Sequence, residues 1–223
     1  MYQKIILSAL GLAVGAYLIG SISFAVLLSK IFANKDVRDY GSGNAGMTNV
    51  MRAIGVLPGI LTFVLDFAKG FVAAGLGRII FENLHSLYPN AQFATALNGA
   101  LIGAFACMVG HVFPVFFKFK GGKGVATGCG AFLAVCPVTT LFGLGIFALI
   151  FIATKIISIS SLCGTVAVVA TSLIFSDIAD GFIGFVQVVL HIASGLIIII
   201  KHKENIVRLI NGQEKKLTVK KGK

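Results

Sequence analysis

The stretch Ile5–Ser29, IILSALGLAVGAYLIGSISFAVLLS, holds 25 residues without a charged side chain. At about 1.5 Å per helical residue it is long enough to cross a hydrocarbon core of about 30 Å. It exceeds the apolar part of a secretory signal and shows no convincing small-residue cleavage site, so it reads as a retained first span. The rest of the chain agrees, with 57% hydrophobic and 12% charged residues and a mean hydropathy of +0.96. The expected fold is an all-α, polytopic transmembrane helical bundle.

Further apolar runs follow at Ala53–Glu82, Phe93–Phe117, Gly124–Thr154, Ser158–Ser176 and Gly181–Ile200. The second run is interrupted by Asp66 and Lys69, whose i,i+3 spacing puts them on one helix face as a partial ion pair or a site-facing pair. Asn83–Gln92 reads as an external loop. As one helix, Gly124–Thr154 would be about 46 Å long, so it is expected to break at Pro137.

Lys and Arg number 19 against 8 Asp and Glu, a net +11. In a soluble protein that charge would suggest nucleic acid. Here it gathers between and after the apolar runs, as positive-inside insertion produces, and no nucleic-acid partner is expected. Fifteen of the basic residues fall in Lys30–Arg52, Lys118–Lys123 and the tail from Lys201. Placing all three inside predicts seven helices, with the N-terminus outside, the C-terminus cytoplasmic and a short fourth helix over about Gly124–Cys136. Five crossings, with one apolar run not spanning, is the alternative. Residues 1–202 then form the transmembrane catalytic domain, with cytoplasmic-face motifs 41–52 and 110–124, and 203–223 a basic cytoplasmic tail. After Gly212 the tail is expected to be disordered or to lie on anionic lipid. Cys107, Cys129, Cys136 and Cys163 sit in apolar runs without a CxxC pair and read as buried small hydrophobes, and no metal site is expected.

Three polar segments interrupt this pattern. Gly41–Arg52, GSGNAGMTNVMR, satisfies GxGxxG, but a dinucleotide fold needs a preceding strand, and here a membrane span precedes it. What remains is glycine backbone able to approach a phosphate closely, followed by a helix over Asn44–Arg52 that would place Asn44, Thr48 and Arg52 on one face. In Gly110–Gly128, GHVFPVFFKFKGGKGVATG, the glycines 121, 122 and 124 supply N–H donors, and Lys120 and Lys123 supply charge. It is not a Walker A loop, because Gly124 follows Lys123. Lys118 reads as a flanking lysine, and His111 as either a structural donor or a site residue. His202 and Asn205 share a helix face at the start of the tail. The three segments specify an anionic ligand, one or more phosphates, meeting a lipid-facing site. No HxxxxD or GxSxG is present.

SGNAGMTNVMRAIG, GHVFPVFFKFKGGKGVATG and HKENIVRLI, with GSISFAVLL before the first and LDFAKG after it, resemble the bacterial membrane glycerol-3-phosphate acyltransferases that use acyl phosphate. The resemblance covers residues 15–215. It implies acyl transfer from acyl phosphate to the 1-hydroxyl of glycerol 3-phosphate, giving lysophosphatidic acid and phosphate at a bacterial plasma membrane, without a cofactor. Its site residues correspond to Ser42, Gly43, Asn44, Thr48, Asn49 and Arg52, then His111, Lys120, Gly121, Gly122 and Lys123, then His202 and Asn205. Asp66 and Lys69 match a polar pair of the family's second span. Ala45, Met47 and Ser23 depart from its usual residues in ways that concern packing. Ser42, Arg52, Lys123, His202 and Asn205 are the catalytic candidates and the others the phosphate-binding ones, with Ser42 hydrogen-bonding substrate rather than carrying an acyl group. His202, His111 or a substrate phosphate oxygen is the candidate base. The rival class is a transporter or channel for small organic phosphates, which would place its site at mid-membrane rather than at one face.

Overall fold

A computed structural model describes residues 1–175 and 182–217, so the acidic turn expected at Asp177–Asp180 lies outside the described residues. The described chain is helical: α1 (Tyr2–Gly20), α2 (Phe24–Ala33), α3 (Met47–Ala53), α4 (Val56–Leu87), α5 (Ala96–Val112), α6 (Val125–Val135), α7 (Pro137–Thr154), α8 (Ile157–Phe175), α9 (Phe182–Lys201) and α10 (Lys203–Ile210), with single 3-10 turns at Val37–Asp39 and Val115–Phe117. Among the described residues, five stretches are long and apolar enough to cross a membrane: Tyr2–Ala33, Val56–Leu87, Ala96–Phe117, Pro137–Thr154 and Ile157–Ile174. Val125–Val135 and Val188–Lys201 are shorter apolar helices.

The split expected at Pro137 is present. Its missing N–H falls in the first turn of α7, where no intrahelical partner is needed. With 11 residues, α6 reaches only about 16 Å.

Three features differ from the sequence reading. The first apolar run is two helices, broken at Ser21–Ser23. The Ser21 hydroxyl accepts from the Val115 N–H at 3.3 Å, and the Lys69 ammonium donates to the Ile22 carbonyl at 2.7 Å. The break is tolerated because Lys69 of α4 satisfies its Ile22 carbonyl, and the Ser21 side chain in turn satisfies the Val115 N–H. Second, α4 continues to Leu87, so half of the expected external loop is helical. Third, α3 and α10 are short helices beyond the seven expected.

Helix α4 is the hub, packed on α5 and α6 through small residues. A Cβ added to Gly77 would overlap the carbonyl oxygen of Gly99, and one on Gly99 would overlap that of Gly77. Gly70 lies in the same way against Thr127 of α6, and Gly130 against Phe67 of α4. Lipid is as apolar as leucine, so helices here gain from close backbone approach, which small residues permit. A second set of contacts ties α1 to α5, with Gly20 against Cys107 and Gly110 against Tyr17.

Gly77→Ala is expected to force α4 and α5 apart and destabilise the protein by roughly 1–3 kcal/mol. Gly75→Ala, on the same helix with no atom within 4 Å of the added methyl, should be neutral or slightly stabilising. Thermal unfolding of both variants in detergent checks the contrast.

Candidate active site

The ends of α2, α5, α7 and α9 and the starts of α4, α6 and α8 meet at one end of the bundle, where all three polar segments lie. The first leaves α2 through Asn34 in a left-handed cap. Gly41 and Gly43 have φ of +62° and +68°, so the turn needs residues without a Cβ. The buried Asn49 clips this turn closed. Its Oδ1 accepts from the Ser42 N–H at 3.0 Å, and its Nδ2 donates to the Val37 and Tyr40 carbonyls at 2.9 Å each. Asn49 therefore holds the loop from inside rather than facing a ligand. Asn44 precedes α3, which begins only at Met47, so the expected shared face of Asn44, Thr48 and Arg52 is reduced to Thr48 and Arg52. Ser42 is exposed, and among the described residues nothing hydrogen-bonds its hydroxyl.

In the second segment two consecutive non-glycine residues, Lys118 and Phe119, are left-handed, with φ of 56° and 57°. Each costs about 1–2 kcal/mol. The strain is held by the N–H of Phe119 donating to the Pro114 carbonyl at 2.9 Å and that of Lys120 to Phe117 at 3.2 Å. It turns the chain so that Lys118, Phe119 and Lys120 are exposed while Gly122 is buried. The Gly122 N–H donates to the His111 carbonyl at 3.2 Å. A Cβ at Gly122 would overlap the His111 ring nitrogen Nε2 and crowd the Ala45 carbonyl oxygen. Gly122 is thus where the first and second segments touch. Arg38 adds a tie, donating to the Phe117 carbonyl at 2.9 Å.

The third segment joins through Lys123, whose Nζ donates to the Asn205 side-chain oxygen. Asn205 in turn donates to Glu214 Oε1 at 2.6 Å, as does the Ser158 hydroxyl at 3.0 Å, while Arg208 Nε donates to Glu214 Oε2 at 2.7 Å. The tail is therefore docked through residue 217. The Leu217 N–H donates to the Lys155 carbonyl at 2.8 Å, and the exposed Arg52 donates to the Lys215 carbonyl at 3.1 Å. This corrects the expectation of a disordered or lipid-lying tail from Gly212 to Leu217. Sequence reasoning missed Glu214, Ser158 and Arg208. The available signal was a single carboxylate among the lysines after Gly212, the glycine that follows α10 at φ +65°.

Burial pulls the Lys123 ammonium down to about 8. It stays mostly charged at neutral pH, yet can lose its proton just above. His202 is buried, and its Nδ1 lies 2.8 Å from the Ile198 carbonyl. A carbonyl only accepts, so the Nδ1 proton points there and Nε2 is left as an acceptor. Burial lowers its pKa to about 4, so the imidazole is neutral and weakly basic. Burial pushes the Glu214 carboxyl up, but its bonds to Arg208, Asn205 and Ser158 outweigh that and hold it below the usual carboxylate range. No group of three metal-ligating side chains occurs among the described residues.

Arg52, Lys120 and Lys123 thus lie at one face of an apolar bundle, an arrangement suited to holding phosphate and to stabilising charge that grows during its departure, whereas the Gly122 N–H, expected as a ligand donor, is already taken by the His111 carbonyl. A family profile described as Glycerol-3-phosphate acyltransferase matches residues 10–212. A glycerol-3-phosphate acyltransferase of Finegoldia magna is 38% identical over 206 residues, covering 92% of this chain and 94% of that one. The crystal structure of PlsY (YgiH), an integral membrane glycerol 3-phosphate acyltransferase, superposes in its glycerol 3-phosphate form with a TM-score of 0.78 at 36% identity, over 95% of this chain and 96% of that one. Its lysophosphatidic acid form gives 0.74 at 34% identity over the same shares. The chain therefore belongs to the PlsY-type family of integral membrane glycerol-3-phosphate acyltransferases.

Proposed function

We propose that the protein transfers a fatty acyl group from acyl phosphate to the 1-hydroxyl of glycerol 3-phosphate at the cytoplasmic face of a bacterial plasma membrane. The hydroxyl oxygen attacks the acyl carbonyl carbon, the bond from that carbon to the phosphate oxygen breaks, and lysophosphatidic acid and inorganic phosphate leave. The observation that carries this reading is the joining of three segments at one end of the bundle, with Gly122 between His111 and Ala45 and Lys123 on Asn205. Two phosphate-bearing substrates need two anion cradles on one site. A mid-membrane site, which transport would favour, finds no support in segments gathered at the helix ends.

Arg52, Lys120 and Lys123, with the Gly121 N–H, hold the phosphates, while Gly122 spends its N–H on the His111 carbonyl and shapes the loop. Ser42, Gly43, Asn44 and Thr48 line the opposite wall, and Asn49 keeps that wall in shape. Acyl phosphate is already activated, so aligning hydroxyl and carbonyl supplies much of the acceleration, about 7–11 kcal/mol in favourable intramolecular cases. Lys123 stabilises charge on the departing phosphate, with Asn205 fixing its ammonium. The hydroxyl proton passes to a phosphate oxygen or to His202 Nε2. A bound phosphate beside His202 raises the basicity of its ring.

The fifteen basic residues flanking these segments favour a cytoplasmic site and C-terminus, with the N-terminus outside and seven crossings, the α1–α2 unit counting as one. On intact cells an impermeant thiol reagent should label Asn90→Cys, whereas Lys216→Cys should react only after permeabilisation; the reverse pattern would invert the topology.

Purified protein given acyl phosphate and glycerol 3-phosphate should form lysophosphatidic acid. Absence of product together with phosphate flux in liposomes would favour transport. Arg52→Ala and Lys123→Ala should each lose activity about a hundredfold or more, while Lys118→Ala keeps most of it; equal losses would remove the distinction between site and flanking lysines. The Lys123 charge is present below about pH 8 and lost above it. So kcat/KM should fall as pH rises through about 8, and Lys123→Arg, which stays charged, should abolish that alkaline limb even if its overall rate is lower.

A further inference from the structure

Beneath the glycine loop lies an ion pair that reaches no substrate-facing surface. Asp66 and Lys69 of α4 are 2% and 5% exposed. Lys69 Nζ is 2.7 Å from Asp66 Oδ1, donates at 2.7 Å to the Ile22 carbonyl in the α1–α2 break, and sits 5.6 Å over the Phe24 ring. The same Asp66 oxygen lies 3.4 Å from His111 Nδ1. The other nitrogen of that ring abuts Gly122, and the His111 carbonyl accepts the Gly122 N–H. Carboxylate, imidazole and Gly122 therefore form one column, from the interior of α4 to the point where the first and second segments touch.

Stability alone is a poor reason for such a pair. Desolvating two charges offsets most of their attraction, and replacing a buried pair by apolar residues of similar volume is often neutral or favourable. Tying α4 to the broken first helix needs only Lys69 on the Ile22 carbonyl. The placement of the carboxylate against His111 is left over, and its other neighbour is the loop.

We propose that Asp66 is a positioning residue: its carboxylate, anchored by Lys69, holds the His111 imidazole against Gly122 and so sets the gap between the Gly43–Gly46 turn and the Gly121–Lys123 loop. The inference rests on those two segments holding the substrate phosphates. A wider gap lets fewer donors of the two segments reach one phosphate together, which weakens binding of glycerol 3-phosphate before it slows the chemical step. Asp66 therefore governs substrate alignment without touching substrate.

The test replaces both charges together, Asp66→Leu with Lys69→Leu, and reads thermal unfolding in detergent beside KM and kcat for glycerol 3-phosphate at saturating acyl phosphate. The double variant should fold but melt below the wild-type temperature, because the Ile22 carbonyl loses its Lys69 donor, with KM raised about tenfold or more and kcat changed less. His111→Gln should raise KM similarly, and combining it with the leucine pair should add little, since all three act through one contact chain. A folded double variant with wild-type KM, or effects that simply add, would overturn the proposal. Asp66→Asn, which preserves volume, is read in the same cycle with His111→Gln should the leucine pair not fold. Wild-type protein that makes no lysophosphatidic acid from these substrates would refute the proposed function itself, whereas active wild type with unchanged variants refutes only the positioning role.

Discussion

Close backbone approach along α4 is the constraint on which the rest of the molecule depends. Gly70, Ala73, Ala74 and Gly77 are buried on one helix and let α5 and α6 lie against it almost without side chains between them. In lipid no difference in hydrophobicity pushes helices together, so that intimacy is the main source of cohesion. It also fixes function. The loop from Phe113 to Gly124 begins where α5 ends and stops where α6 begins, and both helices are registered on α4. A change in helix spacing at Gly77 or Gly70 is therefore transmitted to the geometry of the Lys120–Lys123 segment.

Around that hub the site is assembled from irregular backbone rather than from the helices themselves. The Ser21–Ser23 break is satisfied by Lys69 of α4, the left-handed pair Lys118–Phe119 by backbone bonds to Pro114 and Phe117, and the positive-φ glycines 41 and 43 by the Asn49 side chain that closes their turn. Strain of this kind persists only when the surroundings over-determine it. Here the surroundings are Asn49 in one loop, His111 under the other, and Glu214 behind the third segment.

Much of the architecture was legible in the residues. Apolar run length and charge bias gave seven stretches, and Pro137 marked the boundary between α6 and α7. The three polar segments do come together. What stayed hidden depended on distant partners. The Ser21–Ser23 break has no marker within an uncharged run, because its stabilising groups are Val115 and Lys69. Asn49 looked like one more donor in a polar cluster, and only the fold reveals that its amide is consumed by Ser42, Val37 and Tyr40. Glu214 stands among lysines in a stretch expected to be disordered or to lie on anionic lipid, yet its side chain is 7% exposed, because Arg208, Asn205 and Ser158 converge on it.

The docking of residues 213–217 has a consequence for biosynthesis. The anchor of Lys123 lies at Asn205, and the anchor of Asn205 at Glu214, nine residues further on. During translation the first two walls are in place long before the third emerges. Lys123 acquires its anchored partner only after α9 has been made and residue 214 has left the ribosome. Chains that stop before residue 214 thus enter the membrane with Asn205 unanchored, and the three segments are joined only once that residue has been made.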